Sequence, residues 1–378
     1  LIGIDLFSGS GGMTLGATLA GVKVKAAVEM NAAACKTYRS NHPSISLIEA
    51  DLRTLENIDV GKRSEDLIIF GGPPCQGFST SNQRTRNAAN LKNSLYMEFV
   101  RLVSFMRPEW VVFENVAGIL QTEAGFFSEA FQESLHKLGY EVCDALLNAA
   151  EYGCPQRRTR YFVVGALGRR PPDFPIPALD ATPTLLEAIG DLPSLMNGAS
   201  VDVLPYSGPP QSAYAASLRG QLEACSGHLV SCNADHIVAR YSYIPQGGNW
   251  RNVPGMMRDG HDDRRRYHSG IYRRLREDEP SVVIGNFRKN MLIHPREDRG
   301  LSVREAARLQ SFPDEYVFCG SIGHRQQQVG NAVPPMLARR VFERIMACSQ
   351  GSAITDVSST TLRGTPPELL NVQSGVFP

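Results

Sequence analysis

The chain has 378 residues, 42% of them hydrophobic, with 39 Lys and Arg against 38 Asp and Glu for a formal net charge of +1 at pH 7. That length allows one large domain or two of ordinary size around a substantial core. The near-zero charge excludes a global basic field, so any nucleic-acid site must be a local patch. No apolar stretch approaches membrane-spanning length, so no membrane partner is expected, and the opening Leu1-Ile2-Gly3-Ile4 reads as strand rather than signal peptide. The missing methionine at Leu1 suggests that a short N-terminal piece precedes it. Eight scattered cysteines without a C-x-x-C pair argue against a zinc cage or a disulfide framework. They point to a reducing, cytoplasmic setting and to no metal.

In chain order, Ile2 to Phe7 reads as a buried strand, Ser8-Gly9-Ser10-Gly11-Gly12 as a glycine-rich turn, and Met13 to Ala20 as a short helix stopped by Gly21. A second strand, Val24 to Val28, ends at Glu29. This β-α-β opening is that of a doubly wound fold, and an acid at the second strand tip commonly takes ribose hydroxyls. Thr14 stands where a dinucleotide fingerprint has its third glycine, and no Gly-Lys-Ser/Thr follows. A nucleoside cofactor without a critical pyrophosphate fits better than NAD or ATP; a tight turn with no ligand is the plainer alternative.

Ser46 to Ala50 is a third strand ending at Asp51, and Asp66 to Phe70 a fourth. The fourth runs into Gly71-Gly72-Pro73-Pro74-Cys75-Gln76-Gly77-Phe78-Ser79, where two prolines stiffen the approach to Cys75 and Gly77 permits a sharp exit. A thiol on such a loop reads as a nucleophile rather than a buried structural cysteine. Thr80 to Asn90 is a polar loop of lid length. Leu91 to Met106 has helical apolar spacing, and Trp110 to Glu114 is a fifth strand ending in a carboxylate. A helix from Phe126 to Leu138 and strands Tyr140 to Leu147 and Arg160 to Gly165 follow. Glu29, Asp51, Cys75 and Glu114 all fall at strand C-terminal ends, which a parallel sheet gathers on one rim.

Residues 169 to about 285 are rich in Pro, Gly and Ser and poor in periodicity, which predicts a smaller, irregular domain. Its basic concentration, Arg251 to Arg276, contains Arg264, Arg265, Arg266, Arg273 and Arg274 with Trp250, Tyr267 and Tyr272 interleaved. Arginines there can contact phosphates or bases and the aromatics can stack or pack. Asp259, Asp262 and Asp263 dilute the patch and leave a solvated charged face as the alternative. Leu301 to Gln310 predicts an amphipathic helix starting near Ser302 with Glu305 at capping-box spacing. Val329 to Pro335 leads into a helix through Met346, and Gly351 to Pro378 reads as a mobile tail. The expected division is 1–168 catalytic, 169–324 recognition and hinge, 325–350 a return to the catalytic domain, and 351–378 tail.

A thiolate nucleophile, an acid and a nucleoside cofactor on one rim suit conjugate addition to an electron-poor ring. Asp5 to Gly12, Glu29, Asp51 and Gly71 to Ser79 form an ordered set with Glu114-Asn115-Val116, Gln156-Arg157-Arg158-Thr159-Arg160, Leu301 to Gln310 and Gly330-Asn331-Ala332-Val333-Pro334-Pro335. Together they resemble the C5-cytosine DNA methyltransferases of bacterial restriction-modification type, from Asp5 to about Met346.

The resemblance implies an α/β, mostly parallel, Rossmann-like catalytic domain and S-adenosylmethionine as methyl donor. Phe7, Gly9, Gly11, Glu29, Met30, Asp51, Leu52, Leu95 and Asn331 would line its pocket. Glu29 would hold the ribose and Asp51 the adenine amino group. It implies attack of Cys75 on C6 of a flipped cytosine, with Glu114 at N3 and Arg158 and Arg160 holding the base. Ser79 joins Arg264, Arg265, Arg266 and Arg273 as candidate contacts to double-stranded DNA. A cognate restriction endonuclease acting on the same site, without direct contact, and a nucleoid-associated location are implied as well. The competing readings are a tRNA methyltransferase, a silent DNA-binding regulator and an NAD oxidoreductase. The Gln76 to Ser79 continuation, the retained Cys75 and Glu114, and the glycine pattern stand against them in turn.

Overall fold

The computed structural model describes residues 1–61, 65–73, 95–121, 125–177, 182–257, 271–285, 287 and 292–351. Cys75, Ser79, the Thr80 to Asn90 loop, Arg264 to Arg266, Tyr267 and residues 352–378 lie outside the described residues.

The first half alternates strands and helices: β1 (Ile2–Leu6), α1 (Gly12–Leu19), β2 (Lys23–Glu29), α2 (Ala32–Asn41), β3 (Ser46–Glu49), β4 (Leu67–Gly71), α3 (Leu95–Met106) and β5 (Trp110–Val116). Then come α4 (Phe126–Lys137), β6 (Tyr140–Asn148) and β7 (Thr159–Leu167). The seven strands form one sheet in the order β3-β2-β1-β4-β5-β7-β6. Strands β1 to β5 pair in parallel, while β7 is antiparallel to both β5 and β6.

The central strands are mostly apolar because both faces are covered, with Asp5 in β1 and Glu114 and Asn115 in β5 as the polar exceptions. In β4, Leu67 and Ile69 enter a layer with Phe99 and Leu102 of α3 and Phe131 of α4. Ile68 and Phe70 turn the other way, onto Met13 and Ala17 of α1 and onto α10 (Pro335–Ser349). Proline at the first turn suits α10, since its missing N–H has no intrahelical partner there. Leu337, Ala338, Val341, Phe342 and Ile345 recur at helical spacing and close the sheet's second face, with the Phe342 ring 4.9 Å from Phe70. Burial of a phenylalanine of this kind contributes about 1.5–3 kcal/mol.

The middle of the chain has short elements: α5 (Leu185–Ile189), β8 (Leu204–Pro205), α6 (Ala213–Arg219), β9 (Ala224–Cys225), α7 (Asp235–Tyr241), β10 (Arg273–Arg274) and β11 (Leu292–Ile293). They lead into α8 (Val303–Leu309) and α9 (Ile322–Asn331). Apolar residues of α5, α8 and α9 share a separate cluster with Phe312, Tyr316 and Phe318.

Helix α8 starts at Ser302 with the expected capping box to Glu305. Its polar face is not solvated, however: all seven residues are buried. Arg308 pairs with Asp191 and, at 2.6 Å, with Asp314, and Arg299 meets Glu305 at 2.7 Å. Arg304 donates to the carbonyls of Ser226, Pro313 and Tyr316. A 3.6-residue period marks a polar stripe, but water and buried carboxylates produce the same stripe. Replacing Arg308 with Met removes the cation that Asp191 and Asp314 share, leaving them the longer contacts to Arg219 at 3.4 Å and Arg304 at 3.7 Å respectively. The expected cost is about 3–5 kcal/mol of unfolding free energy in urea titration; an unchanged midpoint would show the network to be neutral.

Candidate active site

From β1 the chain proceeds to β2 and β3 on one side, and from β4 to β5 on the other, so strand order reverses between β1 and β4. Loops leaving those adjacent strands splay apart and open a crevice at their C-terminal ends. Leu6 and Gly71 are in register, so the glycine-rich loop and the approach to Cys75 leave the sheet side by side.

The first loop is tightly wound. Phe7, Gly9 and Gly11 have φ of 61°, 55° and 88°, three left-handed residues in five. For Phe7 that conformation costs about 1–2 kcal/mol. Its neighbour Ser8 is tied by its N–H to the Val28 carbonyl at 3.0 Å. Glu29, the last residue of β2, accepts from the amides of Gly9 at 2.8 Å, Met30 at 2.9 Å and Asn31 at 2.7 Å. A carboxylate accepts at roughly four sites, so room is left for a hydroxyl. The buried Ser8 and Ser10 hydroxyls have no hydrogen-bond partner among the described residues. Fixed carboxylate, orphaned hydroxyls and turned-in loop fit a nucleoside bearing polar groups.

The remaining cofactor candidates are unequal. Leu52 is buried in the turn after Asp51, and Leu95 is half-buried at the first turn of α3. Arg101 of α3 straps that turn down, donating to the Leu52 and Leu55 carbonyls at 3.2 and 2.6 Å. Asp51 receives the Arg53 backbone N–H at 3.0 Å and its guanidinium at 2.5 Å, and these hydrogen bonds hold its carboxyl below the usual range. An adenine amino group therefore has to share Asp51 with an exposed Arg53. Met30 is 61% exposed, and the Asn331 side chain accepts from Gln327 at 2.6 Å.

The acid end of the rim depends on the antiparallel β7. Glu114 stands opposite Phe162, and Val116 opposite Arg160, so Glu114 and Arg160 are diagonal neighbours on one face. Arg160 Nε lies 2.9 Å from Glu114 Oε1, and both side chains are nearly buried. Burial pushes the Glu114 carboxyl above the usual carboxylate range, against the pull of Arg160 and then Arg158. A Cβ on Gly72 would sit 2.6 Å from Glu114 Oε2, so this close approach requires glycine. Asn115 Nδ2 donates to the Pro73 carbonyl at 3.2 Å and fixes the chain two residues before Cys75.

Arg158 differs from its expected role. It is fully buried, and its Nη2 donates to the carbonyls of Gly330 and Ala332, both at 2.9 Å, on either side of Asn331. Its Nε and Nη1 have no hydrogen-bond partner among the described residues. Burial, then the like charge of Arg160, lowers its pKa well below the ordinary value. Gln156 continues this brace, donating to Gln310 Oε1 at 2.9 Å and accepting from the Ile284 amide at 2.9 Å. Gln310 in turn donates to the Val329 carbonyl at 2.8 Å. Gln156 and Gln310 stood inside the sequence blocks without a role; Arg101 carried no signal at all.

Of the basic stretch, Arg273 is half-buried on β10. Arg274 is spent inside, on the carbonyls of Ile244, Tyr241 and His294 and on Asp298. Trp250 is buried and Tyr272 packs edge-on against Tyr241 at 5.6 Å, so these aromatics pack. Arg276 is paired with Asp278 at 2.7 Å. Among the described residues no cluster could hold a metal ion, and every cysteine is unpaired.

A glycine loop at the switch point of a doubly wound sheet, with carboxylates toward the C-terminal ends of β2 and β5, makes this rim the candidate active site of an α/β protein. The family model for C-5 cytosine-specific DNA methylases matches residues 1–347, and the chain belongs to that family. It is 36% identical over 349 residues to the type II methyltransferase M1.HphI of Haemophilus parahaemolyticus, covering 91% of this chain and 86% of that protein. Identity to the type II methyltransferase M.DdeI of Desulfomicrobium norvegicum is 34% over 370 residues, covering 90% and 88%. A crystal structure of an E. coli protein described as a prophage-encoded DNA modification methyltransferase superposes with a TM-score of 0.74 at 27% identity, covering 92% and 98%. The chain is a DNA (cytosine-5-)-methyltransferase with DNA as its substrate. No helix among the described residues is long and apolar enough to cross a membrane.

Asp5 lies beneath the glycine loop, accepting from Thr14 Oγ1 at 2.6 Å, and Thr14 also meets the Tyr38 hydroxyl at 2.9 Å. Burial pushes the Asp5 carboxyl up to about 8. Between its unfolded value, near 4, and 8 the folded chain keeps a proton that the unfolded chain has lost. Asp5 therefore contributes stability that is complete below pH 4 and is lost as pH rises through 8. Asp5→Asn keeps the acceptor for Thr14 and should flatten that slope. Melting temperatures at pH 5 and 8.5 check it: wild type should lose more than the variant on going up, and equal losses would mean that Asp5 is ionised in the fold.

Proposed function

We propose that Cys75, Glu114 and Arg160 carry the chemistry and that the loop from Phe7 to Gly11, with Glu29 and Asp51, holds S-adenosylmethionine. The observation that carries this reading is the buried Glu114–Arg160 pair at 2.9 Å, held beside the chain that leads to Cys75. Glu29 offers its remaining acceptor site to the ribose, Ser8 and Ser10 offer hydroxyls, and Gly9 and Gly11 give close backbone approach. Leu52, Leu95, Asn331 and the exposed Met30 complete the walls, and Asp51 takes the adenine amino group with Arg53 beside it.

The Cys75 thiolate adds to C6 of cytosine, and electron density moves through the ring toward N3. Glu114, favoured in its protonated form by burial, gives its proton to N3 and prevents charge from building there. Arg160 holds the Glu114 carboxyl in place and keeps one face of it oriented to the base. When bound, S-adenosylmethionine supplies an electrophilic methyl group for the C5 so activated. Release of the C5 proton to solvent then expels Cys75 as thiolate, and return of the N3 proton to Glu114 restores the ring. Arg158 acts from behind, through the C-terminal end of α9, which carries Asn331. Attack on C6 requires an unstacked base, at a cost of a few kcal/mol. Residues 169–324 supply the recognition surface in this reading, with Ser79, Arg264, Arg265, Arg266 and Arg273 as DNA contacts. We place the return to the catalytic sheet at Val333, since Val329 and Ala332 still pack with α5 and α8. A cognate endonuclease acting on the same site is the partner implied by the type II naming of the relatives.

Mapping methylated cytosines after incubation with S-adenosylmethionine and mixed-sequence duplex DNA tests the reading. Modification should be confined to one short motif. Cys75→Ser should abolish transfer with cofactor binding retained, and turnover by that variant would end the covalent assignment. Glu114→Gln, which cannot give a proton, should lower kcat by about 10²–10⁴; a kcat within threefold of wild type would remove Glu114 from the chemistry.

A further inference from the structure

Within itself the glycine loop has one backbone bond, from the Gly11 N–H to the Ser8 carbonyl at 2.9 Å. Three left-handed residues in five, one of them Phe7, need an outside constraint. Two side chains meet at Ser10 and Gly11. The Tyr316 hydroxyl donates to the Ser10 carbonyl and lies 3.0 Å from His42 Nε2. A Cβ on Gly11 would fall 2.6 Å from His42 Nε2 and 2.7 Å from Tyr316 Oη, so the pair rests directly on that glycine.

The direction of the chain of hydrogen bonds follows from proton count. A phenol has one proton, and Tyr316 spends it on Ser10. His42 must then give its Nε2–H to the Tyr316 oxygen. Burial pushes His42 down to about 4, so at neutral pH the ring carries a single N–H, and this contact requires it on Nε2. A donor that is itself hydrogen-bonded donates more strongly, so the His42 contact reinforces the bond to Ser10.

The two side chains come from different layers. His42 caps the C-terminal end of α2, its ring 4.7 Å from Tyr38. Tyr316 belongs to the cluster of α5, α8 and α9, with its ring 4.8 Å from Phe312 and 5.5 Å from Phe318. Arg304 of α8 anchors the Tyr316 backbone through its carbonyl at 2.8 Å. The cluster that packs around α8 thus reaches across and holds the loop after β1.

We propose that Tyr316, oriented by His42, is a positioning residue for the cofactor loop, so that S-adenosylmethionine affinity depends on how the α5–α8–α9 cluster sits against the sheet. This rests on the assignment of the Phe7 to Gly11 loop as the cofactor site. Tyr316→Phe removes one hydroxyl and keeps the ring. Its dissociation constant for S-adenosylmethionine, measured by equilibrium binding to the full chain, should rise about five- to tenfold, the effect of one buried hydrogen bond. The loss should appear in KM for the cofactor, with kcat at saturation within twofold of wild type. A packing role alone would not produce that split. His42→Leu should match Tyr316→Phe, the double variant should be no weaker than either single one, and His42→Gln, which keeps an N–H donor, should recover most of the affinity.

Glu29→Gln separates the two ways of failing. If it weakens cofactor binding tenfold while Tyr316→Phe stays within twofold, the loop is the cofactor site and the positioning role is overturned. If neither variant changes binding, the site assignment falls and the proposal falls with it. A drop in kcat for Tyr316→Phe at unchanged affinity also overturns it.

Discussion

A carboxyl and a guanidinium buried together at a sheet edge constrain everything around them. Taking Glu114 and Arg160 out of water is costly for each, and their mutual contact at 2.9 Å, with the Arg160 bond to the Thr159 carbonyl, works against that cost. That contact exists because β7 runs backwards. Were β7 parallel like its predecessors, its N-terminal end would lie at the opposite edge of the sheet, and Arg160 with it. The β6–β7 hairpin therefore does more than extend the sheet: it returns a cation to the rim where the parallel strands deliver their acids. Glycine at position 72 and the Asn115 bond to Pro73 are local consequences of the same geometry.

A second feature is how often buried polar groups join separate apolar clusters. Arg158, Gln156 and Gln310 link the start of β7 to the C-terminal end of α9 and to Ile284. Tyr316 links the α8 cluster to the glycine loop, and Arg308 with its two aspartates fastens α8 to α5. Apolar contact is non-directional, whereas hydrogen bonds weaken steeply when the donor is misaligned. A methyl transfer between two bound molecules needs that directional definition, because the reacting atoms must meet at close range.

Much of this was legible in the chain. The central strands β1, β4 and β5 announce themselves as mainly apolar runs of five to seven residues, since burial on both faces leaves little alternation to misread. The acids at the strand tips, the glycine-rich turn and the Ser302–Glu305 cap were readable because each depends on near neighbours in sequence. What the sequence left open was a matter of environment. The amphipathic pattern of α8 does not say what its polar side meets, and that side is buried against Asp191 and Asp314; Trp250 and Tyr272 could stack or pack, and they pack. The resemblance gave Arg158 and Arg160 a shared role at the base; residues two apart share a face only within a strand, and Arg158 stands just before β7 and donates to the Gly330 and Ala332 carbonyls at the end of α9.

By itself the sequence determined the fold class, the order of the catalytic blocks and the chemical type of each candidate side chain, because those follow from periodicity, backbone restriction by Gly and Pro, and the chemistry of the residues. Only the tertiary structure decided which groups meet. Glu114 finds Arg160 across an antiparallel pairing 46 positions away, as their numbers show, and Ser10 finds Tyr316 across 306. Contacts at such separations depend on how layers close over one another, and no local pattern of residues encodes that closure.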